Sequence, residues 1–347
     1  VDRFLAGTAW IDGVLPSIIM CRGYYTRAVI AAWNFRDGVL TNVWTYDSGT
    51  SGSGLYGQGN HKMAVGDVDD DGRDEIIWGS GAVDHDGKMM YRTGLGHGDA
   101  MHLSDMDPDR KGLEVWTVHE STSAAYGEEL HDARTGAILW GTYTGSDNGR
   151  GLAANIVAGN RSFEMWSGAS STVKTKTGQT AGSSRPSVNF RIYWDGDPES
   201  ELLDGTSITK YQGSTLLSAS GCSSNNSTKS TPNLSADLFG DWREEVVFRT
   251  SDNTRLRIFT TTLPTTTRLY TLMHDPVYRA AIAWQNTAYN QPPHAGFYIG
   301  SDMILRLPRR YIRCKKDGKT AMHGTVPVHW PGPGPMGSLL LLCKTMR

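Results

Sequence analysis

The chain has 347 residues and a formal net charge of −2, so it is long enough for a large hydrophobic core and has no excess of basic residues. This charge balance argues against nucleic acid as a partner. The LLLLC run near the end is far shorter than a membrane span, and we expect no membrane partner. The four cysteines, Cys21, Cys222, Cys314 and Cys343, are far apart in sequence and are interpreted as mostly free thiols.

The chain begins at Val1 with VDRFLAG, a strand-and-turn sequence without an initiator Met or a signal peptide. We therefore expect a fragment or a processed product of a longer protein. The missing leader then says nothing about export.

The first acidic loop begins at Asp67. Asp67, Asp69 and Asp71 alternate, Gly72 follows, and Glu75 precedes the apolar run IIW. Carboxylates at positions 1, 3 and 5 with Gly at 6 are typical of an EF-hand loop, but here the closing acid comes earlier and leads into strand-forming residues. We therefore predict a calcium loop between two strands. The alternative is a solvated acidic turn.

Similar loops recur along the chain. Three more acidic clusters precede apolar strands: Asp105, Asp107, Asp109 and Glu114; Tyr193, Asp195, Asp197 and Glu201; and Asp237, Asp241 and Glu245. Residues 155–166 form a copy that keeps Glu164 but lacks the Asp ligands, and residues 10–19 form a fainter one. The first positions 67, 105, 155, 193 and 237 lie 38, 50, 38 and 44 residues apart.

A second element recurs between the acidic loops. NFRDGVLTNVW, DHDGKMMY and HDARTGAILW each combine a Gly-containing turn with an apolar strand. A period of about 40 to 50 residues with several strands per repeat is the signature of a β-propeller. The sequence therefore predicts an all-β fold, a β-propeller with calcium-binding loops between its strands.

The sequence changes character near residue 300. RLPRRYIRCKKDGK is basic, HWPGPGPMG is rich in Pro and Gly, and no acidic loop continues. We therefore expect a propeller domain over residues 1–300, with its N-terminal part missing. For residues 301–347 we expect a poorly ordered tail that is foreign to the fold.

Polar residues that the strands do not need lie between the acidic loops: His61, His97, Arg150, Lys229 and Tyr289. The surrounding sequence is rich in Gly, Asn or Ser, which predicts that all five lie on loops. The first four precede the first positions of their repeats by five to eight residues. Propeller loops of equivalent phase surround one channel, so we expect these side chains to form one site. A set of locally hydrogen-bonded loop residues is the alternative.

At this point the sequence resembles a known family. GNHKMAVGDVDDDGRDEI, LGHGDAMHLSDMDP, STPNLSADLFGDWREE and QNTAYNQPPH are similar to segments of the rhamnogalacturonan lyases of polysaccharide lyase family 11. The resemblance covers nearly all of residues 1–300. It implies an eight-bladed, calcium-rich propeller that cleaves the rhamnose–galacturonate backbone of pectic rhamnogalacturonan I by β-elimination. It also implies that His61, His97, Arg150, the run Asn226, Ser227, Thr228 and Lys229, and Tyr289 line the substrate cleft.

The residue types suit that reaction. Arg150 has a planar fork suited to a uronate carboxylate, and calcium neutralises the same charge as a Lewis acid. Lys229 is the candidate base, because a Lys among other cations can have a lowered pKa. His61, His97 or Tyr289 is then the donor to the leaving oxygen. Asp99 and Glu120 are predicted to ligate a further calcium close to the cleft.

Two other functions fit parts of the sequence. A non-catalytic calcium propeller that binds carbohydrate or protein would have the acidic loops without needing Arg150 and Lys229. A glycoside hydrolase needs two carboxylates beside the bond, but the acids here are mostly assigned to calcium. In the family, enzymes that act from chain ends carry extra loop residues, which residues 131–150 lack, so we expect internal cleavage. We also expect a monomer that is secreted, periplasmic or at the cell surface.

Overall fold

Six four-stranded antiparallel sheets follow one another along the chain in the computed structural model, which describes residues 3–287, 289–303, 313–316 and 319–322. The first sheet contains β1 (Phe4–Ala9), β2 (Ser17–Arg22), β3 (Val29–Arg36) and β4 (Val39–Asp47). The second contains β5 (Gly59–Gly66), β6 (Glu75–Gly79), β7 (Gly81–Val83) and β8 (Met89–Arg92). The third contains β9 (Ala100–Ser104), β10 (Glu114–Val118), β11 (Glu128–Asp132) and β12 (Ile138–Thr142).

The remaining sheets continue this order. The fourth contains β13 (Gly151–Ala154), β14 (Glu164–Ser167), β15 (Val173–Lys174) and β16 (Thr180–Gly182). The fifth contains β17 (Phe190–Ile192), β18 (Glu201–Asp204), β19 (Ser207–Thr209) and β20 (Thr215–Ser218). The sixth contains β21 (Cys222–Ser223), β22 (Leu234–Ala236), β23 (Glu245–Thr250) and β24 (Leu256–Phe259), with β23 paired to the other three. The first five sheets pair their strands in chain order.

Burial changes from the first strand of a sheet to the last. In the second and third sheets β5, β6, β9 and β10 are buried at every residue, whereas β8 and β12 are mostly exposed or half-buried. The first strands of neighbouring sheets contact each other, from β1 to β5, β9, β13 and β17. In the first five sheets the first strands therefore lie side by side, and in the second and third sheets the first strand is more buried than the last.

Large side chains of the second strands fill the spaces between sheets. Trp78 on β6, Trp116 on β10 and Trp166 on β14 are fully buried. Such a side chain buries about 150 to 250 Å², so Trp→Ala at any of these positions costs about 3 to 5 kcal/mol. The repeated Trp that follows the acidic loops in the sequence is therefore a core residue.

A helix follows the sixth sheet. After a short 3₁₀ turn (Leu272–His274), α1 (Pro276–Trp284) begins with Pro at its first position, and the Asp275 side chain accepts a hydrogen bond from the Tyr278 N–H at 2.8 Å. These are favourable N-terminal features of a helix. The helix packs against β1 and β5. The Asp-Pro pair at the start of α1 is a helix-start signal in the sequence, but the repeats predict only strands and turns at this point.

The segment after α1 connects several sheets. Gln285 hydrogen-bonds to β22, Gln291 to β9 and His294 to β13, each through a backbone group of the strand. These bonds satisfy inner-strand groups that have no neighbouring strand on that side. We call residues 285–299 the axial segment.

A second unit begins at Met303, and of its residues the structure describes Met303 and a hairpin of β25 (Arg313–Lys316) and β26 (Lys319–Met322). The expectation of a poorly ordered tail lies mostly outside the described residues, as does Cys343. Cys21 and Cys222 are free thiols, as predicted. Among the described residues, no helix is long and apolar enough to cross a membrane.

Candidate functional site

The acidic loop at Asp67 is a tight turn between β5 and β6, where the sequence predicts it. The two carboxylate oxygens of Asp67 accept hydrogen bonds from the N–H groups of Asp71 (3.1 Å) and Gly72 (2.9 Å). Gly72 has a φ of 88°, a left-handed value that favours glycine. The turn brings one carboxylate oxygen each of Asp67, Asp69 and Asp71 within 4.8 Å of one another.

The closing glutamate of each loop is anchored and buried. Oε2 of Glu75 accepts the Val68 N–H at 2.8 Å, and the corresponding oxygens of Glu114, Glu201 and Glu245 accept backbone N–H groups at the same point of their loops. Burial raises the pKa of Glu75 to about 9, of Glu114 to about 7 and of Glu201 to about 8. A nearby cation would stabilise these carboxylates in their charged form.

The four loops differ in the positively charged side chains that contact their carboxylates. In the loop at Asp195, the Lys210 ammonium lies 2.8 Å from Asp195, 2.6 Å from Asp197 and 3.2 Å from Glu201. In the loop at Asp105, Lys176 lies 2.7 Å from Asp107. Other contacts to the loops are Lys176 to Asp109, Arg110 to Glu114 and Arg243 to Asp241. In the loop at Asp67 the three aspartates are grouped, His85 lies 3.4 Å from Asp71 and 3.9 Å from Glu75, and Lys111 lies 2.7 Å from Asp70.

A second kind of cluster lies where β5 meets the loop before β9. His61, His97, Asp99 and Glu120 each have a possible ligand atom within 4.8 Å of the others. Nε2 of His61 lies 2.8 Å from Oδ1 of Asp99, and Nε2 of His97 lies 3.4 Å from Oε1 of Glu120. We call these four residues the histidine–carboxylate cluster. The sequence predicts all four as site residues, and the structure brings them together.

The backbone positions this cluster. Nδ1 of His97 lies 2.6 Å from the Gly59 carbonyl, Asn60 and Gly98 form a parallel bridge, and the Glu120 N–H donates to the His97 carbonyl at 3.1 Å. The prediction that His61 lies on a loop is wrong, because it is the third residue of β5. The surrounding Gly and Asn indicate a turn, but pairing with β6 extends the strand to Gly59.

Three tyrosines surround the histidines. The hydroxyl of Tyr24 is 2.9 Å from Nδ1 of His61, and that of Tyr25 is 3.0 Å from Nε2 of the same ring. The Tyr289 ring stacks on His61 with centroids 4.1 Å apart, and the Tyr25 ring lies 4.2 Å from that of His97. The sequence analysis missed Tyr24 and Tyr25. They lie in the connection between β2 and β3, outside the repeating loop pattern, so no spacing signal marks them.

Lys229 joins the site from the loop between β21 and β22. Its ammonium forms an ion pair with Oδ2 of Asp99 and lies 4.5 Å from the centre of the Tyr289 ring. In the same loop Asn226 and Ser227 have positive φ values of 63° and 50°. Non-glycine residues in this region are uncommon and often lie at functional sites. The predicted Asn226–Lys229 run is thus a compact turn against the cluster.

Arg150 lies at the same end of the molecule. It is buried, and Nη2 donates to the carbonyls of Asn290 (2.6 Å) and Asn189 (3.4 Å), while Nε and Nη1 have no hydrogen-bond partner. The Asn189 amide in turn donates to the Thr228 carbonyl at 3.2 Å. Burial lowers the pKa of Arg150 to about 10, although Asp99 acts in the opposite direction. The guanidinium therefore keeps its charge, and two of its nitrogens have no hydrogen-bond partner among the described residues.

The charges within the site are interdependent. Burial alone would raise the pKa of Asp99, but hydrogen bonds from His61, His97 and Lys229 hold it below its usual value. Burial lowers the pKa of His61. Burial raises the pKa of Glu120. Asp99 is thus an anion shared by three donor groups.

The residues present suit a hard divalent cation. The loop at Asp67 has the carboxylate oxygens that calcium prefers, and in the histidine–carboxylate cluster two carboxylates and two imidazoles converge. In the loop at Asp67 a second observation points the same way, because the buried Oε1 of Glu75 has no hydrogen-bond partner among the described residues. Both groups of side chains are therefore candidate cation sites.

Comparison with known proteins agrees with the resemblance in the sequence. Residues 1–307 match the model of the rhamnogalacturonan lyase family 11, C-terminal domain. The chain is 57% identical over 310 residues to the rhamnogalacturonan endolyase YesW of Bacillus subtilis (strain 168), and the alignment covers 87% of this chain and 50% of YesW. It is 53% identical over 325 residues to the rhamnogalacturonan exolyase YesX of the same organism, with 87% and 53% covered.

Solved structures give the same relationship. The crystal structure of YesW matches with a TM-score of 0.85 and 56% identity, covering 88% of this chain and 53% of that one. The rhamnogalacturonan lyase PL11 of Bacillus licheniformis matches with a TM-score of 0.84 and 55% identity, covering 87% and 53%. The chain spans about half the length of the curated relatives that it matches. This chain belongs to the rhamnogalacturonan lyase family 11.

Proposed function

We propose that this chain is part of a polysaccharide lyase that cleaves the rhamnose–galacturonate backbone of rhamnogalacturonan I by β-elimination. Membership of the family and two relatives named as rhamnogalacturonan lyases support the substrate. The observation that carries the proposal is the convergence of Lys229, Tyr289 and the histidine–carboxylate cluster at one end of the inner strands.

The reaction assigns a task to each kind of side chain. A base takes the proton α to the uronate carboxylate, a carbon–carbon double bond forms, the bond to the glycosidic oxygen breaks, and that oxygen receives a proton. The carbanion-like transition state is stabilised when positive charge neutralises the carboxylate. No water is consumed, so the product is an unsaturated uronate.

The candidate roles follow from the geometry. Arg150 would bind the uronate carboxylate, because Nε and Nη1 have no hydrogen-bond partner among the described residues. Lys229 would take the proton in its neutral amine form, and its contacts with Asp99 and Tyr289 hold its Nζ at the site. His61, His97 or Tyr289 would donate to the leaving oxygen, and Asn226, Ser227 and Thr228 would contact the sugar.

We further propose that the cations are calcium ions. Asp99 and Glu120 would hold one close to the cleft, where a divalent cation would supply positive charge for the uronate. The acidic loops would hold others: Asp67, Asp69, Asp71 and Glu75; Asp105, Asp107, Asp109 and Glu114; Asp195, Asp197 and Glu201; and Asp237, Asp241 and Glu245. Their hard oxygen donors support this assignment.

The proposed architecture is a β-propeller, eight-bladed as the family resemblance implies, in a catalytic domain over residues 1–300. The described four-stranded sheets support it, because the first strands of the first five are neighbours and the last strands β4 and β12 are mostly exposed or half-buried. The axial segment, bonded to inner strands of three sheets, lies where a propeller has its channel. Residues 301–347 would not belong to this domain.

We also propose internal cleavage by a secreted or cell-surface monomer. The connection from β12 to Arg150 has no inserted element, which leaves the site open to a long polymer. The polymer is too large to enter a cell. A rapid fall in viscosity during digestion supports internal cleavage, whereas release of disaccharide alone without that fall would refute it. Light scattering tests the monomer.

One assay separates this function from the alternatives. Rhamnogalacturonan I is incubated with the chain and with a longer version extended at its N-terminus, and ultraviolet absorbance and reducing ends are both measured. A lyase gives both signals together. Reducing ends without ultraviolet absorbance would mean hydrolysis, and binding of the polymer without either signal would mean a non-catalytic carbohydrate-binding propeller.

A further inference from the structure

Tyr25 carries the most exposed aromatic ring of the candidate site, although none of the proposed roles uses it. It is 43% exposed, whereas Tyr24, His61 and His97 are 3%, 1% and 9% exposed. Tyr289 is half-buried, and its ring stacks on His61. A sugar that enters the site therefore finds the Tyr25 ring as its main aromatic surface.

The backbone on both sides of Tyr25 is fixed to the start of β5. The Tyr24 carbonyl accepts the Gly59 N–H at 3.2 Å, and the Thr26 carbonyl accepts the Gly57 N–H at 2.8 Å. A Cβ at position 59 would lie 2.4 Å from Cβ of Tyr24, so Gly59 permits this approach because it has no side chain. Tyr25 is thus held in place before any ligand binds, and a sugar that contacts it orders little additional structure.

Tyr25 lies beside the candidate proton donors. Its hydroxyl is 3.0 Å from Nε2 of His61, and its ring centroid is 4.2 Å from that of His97. In the proposed elimination the bond between C4 of the uronate and the glycosidic oxygen breaks, so this oxygen leaves on the rhamnose. The donor must reach that oxygen, and a side chain next to the donor therefore lies next to the rhamnose.

The two sugars of the backbone differ at C6, which is a carboxylate in galacturonate and a methyl group in rhamnose. A carboxylate suits the Arg150 guanidinium, whereas a methyl group suits the face of an aromatic ring. On the basis of the proposed function, we propose that Tyr25 is a specificity residue whose ring contacts the C6 methyl group of the leaving rhamnose. A sugar with a polar group at C6 would have to desolvate that group against the ring.

The contributions of the ring and of the hydroxyl can be separated by substitution. Tyr25→Phe keeps the ring and removes the hydrogen bond to His61, whereas Tyr25→Ala removes both. Tyr270→Ala is the matched control, because Tyr270 is 40% exposed and its ring contacts His274 rather than the candidate site. One apolar group in a binding site changes discrimination about tenfold or more.

The test is NMR saturation transfer from the protein to methyl α-L-rhamnoside, which has no bond that the elimination can cleave. The methyl protons at C6 should receive the strongest signal in the wild type, Tyr25→Phe and Tyr270→Ala, and should lose it in Tyr25→Ala. Methyl α-L-mannoside differs only by a hydroxyl at C6, and about tenfold more of it should be needed to bind the wild type to the same extent.

Three results would overturn the proposal: no methyl signal in the wild type, an unchanged signal in Tyr25→Ala, or equal binding of the two glycosides. Loss of the signal in Tyr25→Phe would also contradict it, because the hydroxyl would then make the contact. If Tyr25→Ala does not fold, the comparison of the two glycosides with the wild type still decides.

This experiment fails separately from the proposed function. A chain that prefers the rhamnoside through Tyr25 but forms no unsaturated product would contradict the lyase activity and keep the contact. A chain that forms unsaturated product but binds both glycosides equally would keep the lyase activity and refute the role of Tyr25.

Discussion

Asp99 connects the candidate site, because side chains from three parts of the chain contact its carboxylate. His61 comes from β5, His97 from the loop before β9, and Lys229 from the loop before β22. Nothing in the sequence near Asp99 shows these contacts, which join residues up to 130 positions apart. Single substitutions at these positions are therefore expected to affect more than one neighbour.

Lys229 tests the proposed mechanism most directly at this scale. Lys229→Ala should lower kcat at least about a hundredfold, because a general base contributes mainly in the transition state. Lys229→Arg should not restore activity, since a guanidinium stays protonated. The measurements are kcat and KM on rhamnogalacturonan I with thermal melts in parallel, and Lys88→Ala is the surface control. A rise in KM with an unchanged kcat would assign Lys229 to binding, and His61 or His97 would become the candidate base.

Glu164 gives a prediction on pH. Burial raises its pKa from 4.5 to about 7, while its Oε2 accepts the N–H groups of Ile156 (2.8 Å) and Val157 (3.0 Å). A raised pKa means that its contribution to stability is complete below pH 4.5 and is lost as the pH rises through about 7. Glu164→Gln keeps an acceptor oxygen without a charge. As the pH rises over this range, the free energy of unfolding should therefore fall less in the variant than in the wild type, by up to about 3 kcal/mol.

The measurement for Glu164 is the free energy of unfolding from urea titrations across this pH range. Glu114→Gln is the matched control, since its pKa is also raised to about 7 but it closes a loop with an Asp cluster. With calcium present, that variant should be less stable than the wild type. Parallel pH profiles for wild type and Glu164→Gln would show that Glu164 does not titrate as described.

The acidic loops share a backbone design but differ in their cations. In each loop the closing glutamate accepts backbone N–H groups. The sequence repeat does not by itself predict these hydrogen bonds, but it accounts for their recurrence in every loop. Lys210 and Lys176 approach two of the loops from neighbouring turns. The first position of residues 155–166 is Asn155, whose amide binds the axial segment at the Ile299 carbonyl instead. The repeats therefore predict where the loops lie but not which of them bind a metal.

Lys210 provides the test at this scale. Calcium can enter the loop at Asp195 only if it displaces the Lys210 ammonium from three carboxylates. Lys210→Met removes this competitor, so this loop should bind calcium about tenfold more tightly, equivalent to about 1.4 kcal/mol. In chelator the variant should be less stable than wild type, because the carboxylates then repel each other. Calorimetric titration is the measurement, with Lys88→Met as the control, and identical titrations would refute the competition.

For the whole molecule, the sequence predicts the all-β class, the strands after the acidic loops and most of the site. His61, His97, Arg150 and Lys229 were singled out because their sequence positions repeat, and Tyr289 because the family resemblance marks it; their roles stay predictions. Helix α1, the axial segment, and the contacts of Tyr24 and Tyr25 were not found. They depend on packing between distant parts of the chain, which a local pattern does not encode.

Calcium should stabilise the molecule as a whole. Several carboxylates lie close together in the loops and in the histidine–carboxylate cluster, and a cation that binds only the folded state raises its stability. Addition of a chelator should therefore lower the melting temperature by more than one weak site explains, and calcium, but not an equal charge of sodium, should restore it. A melting curve unaffected by chelator would refute the calcium assignment of these residues.

The central claim is that this chain contributes to cleavage without addition of water. It is tested by digesting rhamnogalacturonan I in water labelled with heavy oxygen and measuring the product masses. β-Elimination should give unsaturated products that are one water lighter than hydrolysis products and that carry no label. Saturated products with one labelled oxygen per bond cleaved, at the new reducing end, would show hydrolysis and would contradict the proposed function.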